Sequence, residues 1–332
     1  MLSKLTIENF KSIKSQTFTL KPLTILTGLN STGKSSIIQS VLLLSKCYSN
    51  TNQDLLVSVV SAISDFREIR NKYENAQSLT IKADDFELYF DNEALKVNNE
   101  TKGLNGLDYE SNLFYLSANR MGQEEIAKLS NEQKIGLNGE YIFGYFENNK
   151  DKLLEQSLIK FVTTGHTLKA QLNEWLKYIL DLPISIQTEK ITTSNVKISF
   201  NSDGIDFINP FNLGAGNSYL AKILIITLMC NKDDILLVEN PEIHLHPKAQ
   251  AKLGEFFTWV AQAGVQLIVE THSEHLINKI RYQTYKSQLS EADTIIYYKP
   301  SIRDNFIELK IDKNGKFIDN HNSPIMFPSG FF

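Results

Sequence analysis

The chain has 332 residues, 42% of them hydrophobic and 22% charged, enough to bury a full core as one large domain or two joined ones. A net charge of −4 argues against strong, non-specific nucleic-acid binding, leaving room only for a local basic patch such as KSIK at 11–14. The longest apolar runs, such as LAKILIITLM, fall far short of the roughly 20 residues that span a bilayer, and MLSKLTIENF lacks a secretory leader's pattern.

Residues 2–9 alternate apolar and polar, which predicts a half-buried strand, and KSIK reads as a solvated loop. LTILT (23–27) predicts a second strand running straight into GLNSTGKSS (28–36), and SSIIQSVLLLSKCY then reads as a largely buried helix. Residues 79–90 predict a hairpin, 91–112 a loop or insertion, and LFYLSAN (113–119) a short strand ending in a polar turn. The stretch 151–180 predicts helix with a break near Thr163–His166, and 184–200 a second hairpin. Order returns near the end: a glycine turn (213–216), a helix over 217–230, the buried strand DILLVEN, a helix over 247–263, the strand QLIVETHS, a helix over 274–285 and the strand TIIYYKP. Continuous apolar strands between helices predict a parallel sheet covered on both faces. Cys47 and Cys230, distant and without CxxC pairing, are expected to be reduced, buried thiols in a cytoplasmic protein.

The strongest chemical signal is GLNSTGKS, which fits G-x-x-x-x-G-K-[ST] at every fixed position between a strand and a helix. Gly28 and Gly33 let the loop turn so that the amides of Leu29, Asn30, Ser31, Thr32, Lys34, Ser35 and Ser36 can cradle phosphates, with the helix N-terminus adding to the field. Lys34 is expected to reach the β- and γ-phosphates of ATP, and Ser35 to ligate Mg²⁺. A second signal is Glu239 at the end of a buried strand, where such folds hold the metal. Asn240 follows it. An amide cannot accept a proton, so Asn240 can orient water but not act as a base, and Glu242 is the candidate substitute. His272, closing the next strand, is a candidate sensor of the γ-phosphate. His244 and His246 lack a third ligand and read as a loop or helix start rather than a zinc site.

Together NFKSIK, GLNSTGKSS, LGAGNSYLAKI, LLVENPEIHLHP and IVETHS resemble the ABC-type ATPases of the RecF/SMC/OLD class. The likeness is greatest to small bacterial members with ENPE-x-HLHP, a YLSANR-like segment and a Pro-x-Gly-Phe-Phe tail, matched by FPSGFF at 327–332. The resemblance implies an α/β P-loop NTPase with an ABC-type head: a mixed central sheet flanked by helices, an antiparallel N-terminal β portion, and a β-hairpin and helical insertion over 50–204. The nucleotide-binding core would be 1–48 and 205–332. It further implies a homodimer that sandwiches two ATP molecules, with Leu213, Gly214, Ala215, Gly216 and Asn217 of one subunit capping the γ-phosphate held by the other. Gly214 stands where the class has serine, so Ser218 or backbone amides would supply that contact. Glu239 becomes the Mg²⁺-associated acid and His272 the γ-phosphate switch. Asn30, Lys11 and Ser12 match segments near the nucleotide, and Asn119 and Arg120 a segment whose role the residues do not give. No heptad arm is present, and the chain leaves no room for the nuclease domain of OLD proteins. The expectation is an ATPase that switches a separate effector, a nuclease or other toxin, in defence against phage or plasmids. The alternatives are a RecF-like clamp that binds DNA, and a nucleotide-binding scaffold without turnover.

Overall fold

One sheet divides the interior in two, and both halves follow from side chains that alternate along its strands. The structure, a computed structural model, describes residues 1–48, 65–92, 95–97 and 107–327. At the centre lies β3 (Leu23–Gly28), flanked by β14 (Thr294–Lys299) and β13 (Gln266–Glu270), with β12 (Ile235–Glu239) and β7 (Leu113–Leu116) beyond β13. These five strands are parallel, and β15 (Ile307–Ile311) and β16 (Phe317–Ile318) extend the other edge antiparallel, so the sheet is mixed. Leu23, Ile25, Leu236 and Val238 point to one face, and Leu26, Ile235 and Leu237 to the other. Every residue of β3, β12, β13 and β14 is buried, which is why these strands read as unbroken apolar runs.

Helix α1 (Ser35–Tyr48) covers one face together with an antiparallel sheet of order β2-β1-β4-β5-β6. Here β1 is Lys4–Phe10, β2 Ile13–Thr19, β4 Ser78–Ala83, β5 Phe86–Asp91 and β6 Leu95–Val97. A single turn, α2 (Phe66–Ile69), packs beside it. The opposite face carries α5 (Ala215–Leu228) and α6 (Pro247–Gln262), with α7 (Glu274–Tyr285) against α6. The middle of the chain joins this second core through α3 (Ile142–Asn149), α4 (Leu168–Leu180), β8 (Ile126–Lys128), β9 (Ile184–Lys190) and β10 (Asn195–Ser202), while the exposed β11 (Ile205–Ile208) pairs with β10.

Five expectations need correction. KSIK is not all loop, because Ile13 begins β2 and is buried. Residues 151–167 are irregular apart from a three-residue 3₁₀ turn at Gln156–Leu158, so helix occupies only the second half of 151–180. The buried Gln171 side chain stabilises this path: its carbonyl accepts from Lys160 and Phe161 amides at 2.9 and 3.0 Å, and its amide donates to the Phe161 and Gly165 carbonyls at 2.9 and 2.6 Å. The helix expected over 217–230 starts two residues earlier, at Ala215. Cys47 is half-buried rather than buried, while Cys230 is buried, and both are free thiols. Within 91–112, read as loop, β6 pairs with β5, and residues 93–94 and 98–106 lie outside the described residues. Of the FPSGFF tail, Phe327 packs on Tyr298 and Phe317, and 328–332 lie outside the described residues.

Candidate nucleotide site

The loop over 28–36 leaves β3 in a left-handed path, with Gly28 at φ 133°, Ser31 at 60° and Gly33 at 106°. A side chain at Gly28 would overlap the Lys299 carbonyl, and one at Gly33 the Ser12 hydroxyl, so both glycines are required by space as well as by angle. The Ser12 hydroxyl donates to the Thr32 carbonyl at 3.0 Å, and Lys11 donates to Gln39 of α1 at 2.6 Å, so the β1–β2 turn braces the loop. Leu29, Asn30 and Ser31 form its exposed rim, whereas Thr32, Lys34 and Ser36 are buried. The Lys34 ammonium donates to the Leu29 and Gly28 carbonyls at 2.6 and 3.2 Å. Burial holds its pKa below the usual lysine range, with Glu270 and Glu242 opposing that shift. Beside the rim opens a cavity of about 280 Å³ whose walls include Ser31, Lys11, Arg70 and Tyr73.

Two carboxylates close the other side. Glu239 and Glu270 are register partners at the ends of β12 and β13. The Glu239 carboxylate accepts from the Ala118 amide at 3.1 Å and from the Tyr115 hydroxyl, and burial raises its pKa. Glu270 is 6% exposed, the Ser35 hydroxyl donates toward it, and its Oε2 has no hydrogen-bond partner. Burial, with Glu239 adding to it, raises its pKa to about 7. An orphaned carboxylate oxygen next to the loop serine fits a divalent cation. Mg²⁺ in such sites takes one or two carboxylates and keeps its remaining positions for water and phosphate. Ser35 and this acidic pair, Glu239 and Glu270, are the residues that would hold it, directly or through a bound water.

Asn240 sits at φ 43°, its amide donating to the Glu270 carbonyl at 2.8 Å, and its side-chain oxygen is buried without a partner. Glu242 is fully engaged: it accepts from the Thr271 hydroxyl at 2.8 Å and the His272 amide at 2.6 Å. It therefore fixes the turn that carries His272 instead of presenting a free oxygen. Burial, then the Lys34 charge, holds the exposed-edge His272 below its usual pKa, which favours the neutral imidazole at pH 7. His246 caps α6, its Nδ1 accepting from the Lys248 amide at 3.3 Å, and the His244 ring lies 5.0 Å from that of Tyr219 on α5, tilted by 43°. Among the described residues no cluster of three or more His, Cys, Asp or Glu forms a metal cage.

Residues 213–218 form the start of α5, with Gly214 at the N-cap and exposed. Gly216, Asn217 and Ser218 are buried, the last two at 8% and 1% exposure, while Leu213 and Ala215 are half-buried beside the exposed Gly214. Among the described residues no hydrogen bond joins this turn to the phosphate loop of the same chain. Glu270, Tyr115 and the role of Arg120, whose guanidinium donates to the Ser117, Glu239 and Asn240 carbonyls, escaped the sequence reading. The available signal for Glu270 was an acid closing an otherwise apolar strand directly before Thr-His-Ser.

Comparison with known proteins fits this geometry. Residues 23–278 match the family described as "AAA domain, putative AbiEii toxin, Type IV TA system". The Old nuclease of Escherichia phage P2 is 25% identical over 83% of this chain, and the chain spans 57% of that relative's length. Two solved structures share the fold. An Smc head bound to the C-winged helix domain of ScpA has a TM-score of 0.56 at 13% identity, over 94% of this chain and 98% of the other. An Smc head with an extended coiled coil, bound to the C-terminal domain of ScpA derived from Pyrococcus furiosus, gives 0.59 at 12% identity, over 93% and 96%. No helix among the described residues is long and apolar enough to cross a membrane. Since the family match runs from β3 through the phosphate loop and both acidic strand ends into α7, the chain belongs to that AAA family, and it has the fold of an Smc head.

Proposed function

We propose that the chain binds ATP with Mg²⁺ at residues 28–36, hydrolyses it slowly, and cycles between single and sandwiched copies to switch a separate effector. The observation that carries this reading is a left-handed glycine loop with a buried lysine, whose Ser35 lies against the buried Glu270 and so beside its register partner Glu239. The loop amides and Lys34 would bind and orient the β- and γ-phosphates, and His272, neutral at pH 7, would hydrogen-bond the terminal one. When bound, Mg²⁺ would neutralise charge on the phosphate oxygens. Asn240 would hold the attacking water without taking its proton, and Glu242 is occupied by Thr271 and His272. Slow turnover follows from those two facts.

The turn over Leu213–Ser218 would face the triphosphate of a second copy, using the amides at the start of α5. A role in defence against phage or plasmids, through a nuclease or toxin effector, takes its support from the family's description and from the name of the phage relative. Calorimetry with Mg-ATP, phosphate release, and molecular mass with and without ATP test the reading together. Wild type should bind, release phosphate slowly and double in mass, and Lys34→Ala should lose binding at least tenfold. A well-folded wild type that gives no heat at millimolar Mg-ATP would overturn it.

A further inference from the structure

Three acids act on one another beside the phosphate loop, Glu270 against Ser35 with Glu239 and Glu242 near it, and their surroundings differ in one respect. Glu239 receives the Ala118 amide and the Tyr115 hydroxyl, and Glu242 receives the Thr271 hydroxyl and the His272 amide. Glu270 receives the Ser35 hydroxyl alone among these donors, and its second oxygen, Oε2, is buried and unpartnered. The neighbouring Lys34 does not neutralise it by contact, because its ammonium is bonded to the Gly28 and Leu29 carbonyls. A carboxylate removed from water without a donor is costly, and the group that repays this most fully is a multiply charged cation. Such a cation would also need the Ser35 oxygen, which already lies against Glu270.

Building on the ATPase reading above, we infer that Glu270, at the end of the strand beside the one carrying Glu239, supplies the carboxylate oxygen that meets the nucleotide's divalent cation. Glu239, with donors from Tyr115 and Ala118, then acts at one remove, fixing the strand end and the water around the cation. The register Glu239↔Glu270 makes this exchange of roles possible, since the two carboxylates leave adjacent strands at the same level. It also separates the metal-facing acid from the Asn240 turn, leaving that turn free to be held by Arg120.

The test is Mn²⁺ titration followed by electron paramagnetic resonance, on the full chain with a non-hydrolysable ATP analogue. Nucleotide affinity in EDTA is measured in parallel. Glu270→Gln should weaken Mn²⁺ binding at least tenfold without lowering metal-free nucleotide affinity, because the carboxylate it removes repels bare phosphate, and Glu239→Gln should weaken Mn²⁺ binding by a smaller factor. Glu270→Asp keeps the charge but withdraws the oxygen by one methylene; it should fall between wild type and Glu270→Gln, and it serves if the glutamine variant does not fold. Mn²⁺ affinity unchanged in Glu270→Gln, or in Glu270→Asp where that variant stands in, overturns the inference. So does a larger loss in Glu239→Gln. A wild type that binds no nucleotide in EDTA or with metal would instead remove the ATPase reading itself.

Discussion

The Arg120 guanidinium donates to three main-chain carbonyls, those of Ser117 at 3.0 Å, Glu239 at 2.8 Å and Asn240 at 3.0 Å, and lies 5.4 Å from the Tyr219 ring. It is 2% exposed, and burial brings its pKa down to about 10, so it stays charged at pH 7. The planar fork lets Nη1 and Nη2 serve consecutive carbonyls of the strand-end turn, a geometry that a lysine ammonium cannot reproduce. Arg120→Lys should therefore cost about 2 kcal/mol, and Arg120→Ala about 3 kcal/mol, since each leaves buried carbonyls without donors. Urea unfolding is the measurement: the midpoint should fall while the slope stays constant. A shift worth less than about 0.5 kcal/mol in Arg120→Ala would mean that the turn holds its left-handed Asn240 unaided.

Helix α5 meets the turn after β12 through a glycine. A methyl group on Gly216 would come within 2.5 Å of the His244 carbonyl, a main-chain atom that cannot swing aside. Two residues earlier, Gly214 has open space around it and no side-chain cap. Gly216→Ala should destabilise by about 1–3 kcal/mol as the helix is pushed from the turn. Gly214→Ser should be tolerated and gain a few tenths of a kcal/mol as an N-cap. Thermal melts of the two variants check the contrast, and equal melting temperatures would contradict the packing described. The elements best legible in the sequence were those buried on both sides: β3, β12, β13 and β14 read as apolar runs because each face meets a helix layer or a second sheet. Strand β2 was lost because only Ile13 and Phe18 of its seven residues are buried. Residues 151–167 carry enough leucine and isoleucine to look helical, and the contrary information resides in Gln171, whose four hydrogen bonds reach back 6–11 residues and are invisible to periodicity. At the site, the phosphate loop was legible because its chemistry is contiguous. Glu270 was not, because its meaning comes from lying beside Glu239 and Ser35, which only the sheet brings together.

At the scale of the molecule, the middle of the chain is fastened to α5 by one buried ion pair. Lys222, fully buried on α5, pairs with Glu124 just before β8, donates to the Gly139 carbonyl at 2.9 Å, and lies 5.0 Å from the Phe143 ring of α3. Burial pushes the lysine pKa down and the glutamate pKa up, so each charge is costly and persists because of the other. One turn earlier on the same helix, Tyr219 meets Arg120 and His244, so α5 touches both the strand-end turn of the nucleotide site and the lobe built from β8, α3 and β10. Lys222→Met should cost about 3–5 kcal/mol by stranding the Glu124 charge, and adding Glu124→Leu should recover most of that loss. A urea double-mutant cycle measures the coupling, which should change little with salt because the pair is shielded from the solvent. In the double variant, hydrogen exchange should quicken over residues 126–149 relative to wild type, while β3, β12 and β13 keep their protection. Faster exchange in both regions would mean that the pair secures the whole fold, and none in either would mean that apolar packing alone carries the lobe. The selective outcome would make α5 the element that ties the strand-end turn of the nucleotide site to the lobe built from β8, α3 and β10.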